Sequence, residues 1–185
     1  MAQKCSWASS SPEMEAYHDY EWGKELHDEQ KLFELLSLEL LQAGLSWQTV
    51  LAKRKAFREV FFDFEIQKVS QMTEADLLRL MADKRLIRHE AKLKAIINNA
   101  QCLVELQKTG QSLDKLLWEE CPAGPVIHHF ETLAQVPAKT ELSQKITQKL
   151  KRHGFKFVGP TIVYSLMQAC GLVNDHLESC PFKYA

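Results

Sequence analysis

The sequence predicts an all-α fold, and three observations carry that expectation. Apolar residues recur at helical spacing in run after run, capping and breaking residues mark where those runs begin and end, and no alternating strand pattern of useful length interrupts them. Seven or so helices joined by short loops are expected, in one domain over residues 1–185, with no internal repeat or low-complexity segment.

After an irregular start, Ser11-Pro12 opens a short segment that runs through Tyr17-His18 to Glu21-Trp22-Gly23, where glycine marks a stop. Asp28 is placed to cap a helix from about Glu29 to Leu41. Within it Leu32, Leu35, Leu36 and Glu39 fall at i, i+3, i+4 and i+7, so a carboxylate sits on a stripe that otherwise faces the core. The chain hinges at Ala43-Gly44-Leu45-Ser46, and Ser46 caps the next helix, which opens at Trp47 and runs to about Phe61 with Val50, Leu51 and Phe57 on its apolar side. Thr73-Glu74-Ala75-Asp76 has the form of a capping box, with aspartate in the usual place of Glu or Gln, before a short helix ending near Met81.

Between about His89 and Lys108, Leu93, Ile96, Ile97, Ala100, Leu103 and Val104 keep helical spacing, and Gly110 ends the run. Ser112 starts another helix through Leu116, Leu117 and Trp118; Cys121 to Pro125 is a loop, and Val126 to Phe130 is a candidate short extended piece. Leu142, Ile146 and Leu150 mark a helix that Gly154 terminates. Phe155 to Gly159 then turns the chain into a last long helix with Pro160 in its first turn, closed by Gly171.

With 45% apolar side chains the chain can bury one substantial core. Lys+Arg 23 against Asp+Glu 24 excludes a histone-like polycation, so a polyanion partner has to be met by a local patch. The N-terminus lacks a basic stretch followed by an apolar one, and no run reaches the roughly 18 to 20 apolar residues that cross a bilayer. A soluble, cytoplasmic monomer without membrane contact is expected. Five scattered cysteines read as reduced thiols or metal ligands, with Cys102, Cys121 and Cys170 as buried thiols.

Four groupings carry possible chemistry, each with a plainer alternative. Glu39 either pairs with a lysine or arginine of its own fold beside a core Trp47, or shares with Trp47 a pocket that grips a flat cationic ligand. Lys149, Lys151, Arg152, His153 and Lys156 crowd the turn whose Gly159-Pro160 helix start offers free N–H groups to phosphate; the alternative is a solvated charged face. Cys5 and His18, with His176 and Cys180, make a closed tetrahedral zinc set if the ends of the chain meet, His176 and Cys180 projecting from one helical turn; otherwise they are free side chains. Tyr17, Trp22 and Trp47, with His27 and His89 as loose extras, are pocket or core aromatics. No glycine-rich phosphate loop and no His-Glu-x-x-His is present.

The segments Ala16-Tyr-His-Asp-Tyr-Glu-Trp-Gly23, Leu32-Phe-Glu-Leu35, Gln42-Ala-Gly-Leu-Ser-Trp47, Ile87-Arg-His89, Gly154-Phe-Lys-Phe-Val-Gly159 and Met167-Gln-Ala-Cys-Gly-Leu-Val-Asn-Asp-His176 resemble, collinearly, the 3-methyladenine DNA glycosylase I family of bacterial alkylation-repair enzymes. The resemblance runs from about Cys5 to Cys180. It implies an all-α helix-hairpin-helix glycosylase fold, the hairpin spanning about 142–170, with the termini joined by one structural zinc on Cys5, His18, His176 and Cys180. It also implies a base pocket with Glu39 as catalytic residue and Tyr17, Trp22, Trp47 and Met14 against the base. Met14 stands where some relatives carry a tyrosine, so a hydroxyl is lost there.

For DNA it implies that Lys156, Phe157, Gly159 and Thr161 hold the backbone while Gly44 and Leu45 enter the duplex where the base has left. The implied activity is monofunctional hydrolysis of the N-glycosidic bond of 3-methyladenine in alkylated double-stranded DNA, releasing free 3-methyladenine and leaving an abasic site. Asp175, beside a proposed metal ligand, is given no role. Competing classes are a non-catalytic zinc-stabilised helix-hairpin-helix module that docks on DNA without cutting, and a helical scaffold that binds no nucleic acid.

Overall fold

The helix that carries Glu39 is the centre of the molecule. In the computed structural model, which describes residues 3–184, the nine α-helices are α1 (Pro12–Tyr20), α2 (Glu29–Gln42), α3 (Trp47–Val60), α4 (Ile66–Ser70), α5 (Glu74–Ala82), α6 (Glu90–Lys108), α7 (Leu113–Trp118), α8 (Glu141–Arg152) and α9 (Pro160–Ala169). Every residue of α2 from Leu32 to Leu41 is buried. The expected single apolar face is therefore corrected to a helix enclosed on all sides, by α3, α6, α7 and α9 among others. Asp28 caps it as expected, accepting from the Lys31 N–H at 2.8 Å.

The caps read from sequence are present at Ser46 of α3, at Ser112 of α7, and as the Thr73/Asp76 box of α5. Two helices exceed the expectation. α1 is a full helix capped by Ser11, and α4 is a five-residue helix packed on α6, too short for periodicity to show. Between α3 and α4, Phe62, Asp63 and Phe64 all have left-handed φ values, a kink that spacing could not foretell. The extended piece shrinks to β1 (Val126–Ile127), parallel to β2 (Val173–Asn174).

α8 and α9 form a helical hairpin, and the segment after α9 brings the end of the chain back to its start. Gly171 makes that return possible: its φ is +73°, and a Cβ there would lie 2.3 Å from the Lys24 backbone. Beside it Gly23 N–H donates to Gln168 O and Leu26 N–H to Cys170 O. The Trp22 segment is thus laced to the C-terminal end of α9. All five cysteines are unbridged, and Cys102, expected buried, is half-exposed. No helix among the described residues is long and apolar enough to cross a membrane.

Candidate active site

α1, α2 and the start of α3 converge on a cavity of about 410 Å³. Met14 and Tyr17 line it from α1, Glu39 from α2, Trp47 from the first turn of α3, and Trp22 from the loop after α1; Ser165 and Gln168 of α9 and Asp175 line it as well. The Tyr17 and Trp47 ring centroids are 5.2 Å apart, with planes tilted by 48°. Trp7, in the short 3-10 turn Ser6–Ser10, also lines the cavity and meets Trp22 edge-on at 5.0 Å. Sequence reasoning missed Trp7, whose only signal was its place two residues after Cys5.

Glu39 is 4% exposed, and its Oε2 has no hydrogen-bond partner. No cation approaches it within ion-pair distance among the described residues; the arginines of α3 go instead to Glu34 on the same helix. Arg54 Nε lies 2.6 Å and Arg58 Nε 2.7 Å from Glu34 Oε1. The plainer of the two readings is thus correct for Glu34, which the sequence did not single out, and not for Glu39. Burial alone would raise the Glu34 carboxyl, but Arg58 and Arg54 hold it below the ordinary carboxylate range. Burial with nothing to offset it pushes Glu39 up to about 8. Burial, and next to it the Glu39 carboxyl, also raise Tyr17. Trp47 Nε1 is likewise buried and unpartnered. The cavity therefore holds an acid and an N–H donor that the fold leaves unsatisfied, walled by indole and phenol.

Asp175, by contrast, is fully engaged. Its Oδ2 accepts from Tyr164 Oη at 2.6 Å and Gln168 Nε2 at 2.7 Å, and its Oδ1 lies 2.6 Å from His128 Nδ1.

The turn between α2 and α3 stands beside this cavity. Gly44 takes φ +80° with open space where a side chain would be, and Leu45 is 41% exposed. At the α8–α9 hairpin, Phe155 and Val158 are buried anchors, while Phe157 adopts φ 54° and is 38% exposed. Its tip is clamped by α6: Asn99 Oδ1 accepts from Lys156 N at 2.8 Å, Asn99 Nδ2 donates to Lys156 O at 3.1 Å, and Asn98 Nδ2 donates to Gly154 O at 3.0 Å. Neither asparagine was legible as a hairpin partner. α9 starts at Gly159 with no side-chain cap, and Thr161 in its first turn is exposed. Lys149 leaves the expected basic group, because it pairs with Glu119 and Glu120 at the end of α7. Lys151, Arg152 and Lys156 meet no carboxylate among the described residues.

Cys5, His18, His176 and Cys180, all buried, place their ligand atoms within 4.8 Å of one another. His176 and Cys180 do not share a helical turn; they lie in irregular chain after β2, where a turn between Leu177 O and Cys180 N–H folds one back on the other. Cys180 Sγ is 3.5 Å from both His18 Nε2 and His176 Nδ1, and Cys5 Sγ is 3.8 Å from His176 Nδ1. Zinc–sulfur and zinc–nitrogen bonds at tetrahedral angles would set such donors about 3.6 Å apart. The far ring nitrogens are oriented as metal ligands usually are: His18 Nδ1 meets Asp19 Oδ1 at 2.8 Å, and His176 Nε2 lies 3.2 Å from Trp22 O. Burial, and after it His18, lower His176 to about 4, so its ring is neutral.

These features define a helical protein with an aromatic-walled cavity, holding an unpaired carboxyl, and an α8–α9 hairpin. The chain belongs to the methyladenine glycosylase family, which it matches over residues 7–184. It is 45% identical to DNA-3-methyladenine glycosylase 1 of Escherichia coli over 178 residues, 96% of this chain and 95% of that one. With the DNA-3-methyladenine glycosylase of Haemophilus influenzae it shares 43% identity over 183 residues, 99% of both. A tyrosine-to-phenylalanine variant of a 3-methyladenine DNA glycosylase I, solved in complex with 3-methyladenine, superposes with a TM-score of 0.93 at 38% identity, covering 98% of each chain.

Proposed function

We infer that this chain is a DNA-repair glycosylase that hydrolyses the N-glycosidic bond of 3-methyladenine in alkylated double-stranded DNA, releasing the free base and leaving an abasic site. The observation that carries the reading is the unpaired Glu39 carboxyl inside an aromatic cavity, in a family whose relatives are named for that base. Methylation at the third ring nitrogen makes the base cationic within DNA and a good leaving group. Once rotated out of the duplex, it lies against Trp47 and Tyr17, with Trp22 and Met14 closing the pocket. As the cationic base enters, Glu39 releases its proton to solvent and, as the catalytic residue, counters the charge of the base. When the glycosidic bond breaks its electrons stay with the base, which leaves neutral, and water bonds to the sugar carbon and gives up a proton. Neutral adenine carries no charge to draw the proton off Glu39, so it gains none of this ion pairing and is held less strongly than the methylated base.

DNA is held by the α8–α9 pair acting as a helix-hairpin-helix, through Lys156, Phe157, Gly159 and Thr161, while Gly44 and Leu45 fill the space the base has left. A structural zinc on Cys5, His18, His176 and Cys180 ties both ends of the chain together; when bound it supplies cross-linking and no reaction chemistry, because four protein ligands leave no open position. One catalytic domain acting as a cytoplasmic monomer is sufficient for these steps.

The test is chromatography of the bases released from methylated DNA. The wild-type chain should release 3-methyladenine, and Glu39→Gln should release it on the order of a hundredfold more slowly while binding undamaged duplex nearly as well. Undiminished excision by that variant would refute the role of Glu39. DNA binding without any release would leave the non-catalytic module instead.

A further inference from the structure

Lys92 is the one buried lysine whose ammonium meets no carboxylate among the described residues. It projects from the first turn of α6, is 5% exposed, and donates to Leu41 O at 2.9 Å and Ala43 O at 2.5 Å. Those are carbonyls at the C-terminal end of α2, immediately before Gly44 and Leu45. The ammonium therefore completes the end of the helix that bears Glu39 and sits where the dipole of that helix favours a cation. Ordinary surface lysines do not accept this degree of desolvation, and burial pulls this one below the usual lysine range.

The same helix holds the hairpin. Asn98 and Asn99 grip Gly154 and Lys156, and at the start of α6 the ring of His89 meets Phe157 edge-on at 6.4 Å. Lys92 and Asn99 are seven residues apart on a straight run, about 10 Å at the helical rise. α6 thus bridges two elements that are distant in sequence: the Gly44-Leu45 turn at one grip and the hairpin tip at the other.

We propose that Lys92 is a positioning residue that fixes the Gly44-Leu45 turn relative to the hairpin, so that a duplex held by the hairpin meets Leu45 at the step from which the base must leave. It acts on extrusion of the base from DNA and not on recognition of the base already in the pocket. The inference rests on the functional reading above, and its distinctive consequence is a split between two measurements. Lys92→Met should lower kcat for release of 3-methyladenine from native methylated duplex by about tenfold or more, the equivalent of about 1.4 kcal/mol. It should leave the Kd of free 3-methyladenine, read from tryptophan fluorescence, within about twofold of wild type.

Leu45→Ala should show the same split, and the double variant should be no slower than the slower single variant, because the two residues act through one turn. Lys92→Arg keeps a cation able to reach the same carbonyls and should recover duplex activity to within about threefold, which also guards against a Met variant that fails to fold. Equal loss of base affinity and duplex excision in a folded variant would overturn the proposal, as would additive effects with Leu45→Ala or a Lys92→Arg protein as slow as a Lys92→Met one. If the wild-type chain releases no base at all, the functional reading itself falls. If it releases base and the variants show no split, only the role of Lys92 falls.

Discussion

Two glutamates five residues apart on α2 show how partners decide what a buried acid does. Glu34 is neutralised by Arg54 and Arg58 and is an element of the fold; Glu39 meets no cation and keeps its proton at neutral pH, because burial raises it to about 8 from 4.5. Between those values the unfolded chain has released a proton that the folded chain retains. Stability must therefore fall as pH rises through that window and level off above it. A difference of one in pKa is worth about 1.4 kcal/mol, so the slope is measurable. Melting temperatures followed across the window should decline for the wild-type chain and stay flatter for Glu39→Gln, which should be the more stable protein at the alkaline end. Parallel profiles would mean that Glu39 has already found a partner. The sequence placed Glu39 on a buried stripe correctly, but it could not say which acid the α3 arginines would choose. That choice depends on how two helices cross.

At the scale of elements, what was legible is what local chemistry dictates. Caps at Asp28, Ser46, Ser112 and Thr73, and stops at Gly154 and Gly171, fall where the residue types demand them. What was not legible is made by tertiary contact: α4 lying on α6, the left-handed Phe62–Phe64 kink, and the Asn99 clamp on the hairpin. The clamp is a strong case, because Asn99 is buried and satisfies both the N–H and the C=O of Lys156 with one side-chain amide. Replacing it by alanine strands two backbone groups beside Phe157, whose left-handed conformation needs support from its surroundings. Asn99→Ala should weaken binding to undamaged duplex by about 1–3 kcal/mol, seen in a binding isotherm, without changing affinity for the free base. Unchanged duplex affinity would show that the tip holds its shape without the amide.

For the molecule as a whole, the decisive connection is between its two ends. Cys5 and His18 precede the core helix, while His176 and Cys180 come after the last helix, so no periodicity could have paired them; the resemblance did so, and their donor atoms do converge. The consequence reaches the pocket, because His18 is adjacent in sequence to Tyr17 on α1, and His176 touches the carbonyl of Trp22. α1 is short and packs on the Ser6–Ser10 turn and on α3, so its seat depends on whatever holds the termini. If the cluster binds zinc, elemental analysis should find one ion per chain, and a strong chelator should lower the melting temperature and abolish base binding together, since Met14 and Tyr17 lose their support. Both should return on adding zinc. The order of loss is the informative part. A structural ion predicts that activity falls only as the fold around α1 loosens, whereas a metal-free cluster predicts that chelation changes neither quantity, leaving the packing of Trp7, Trp22 and His18 to hold the termini unaided.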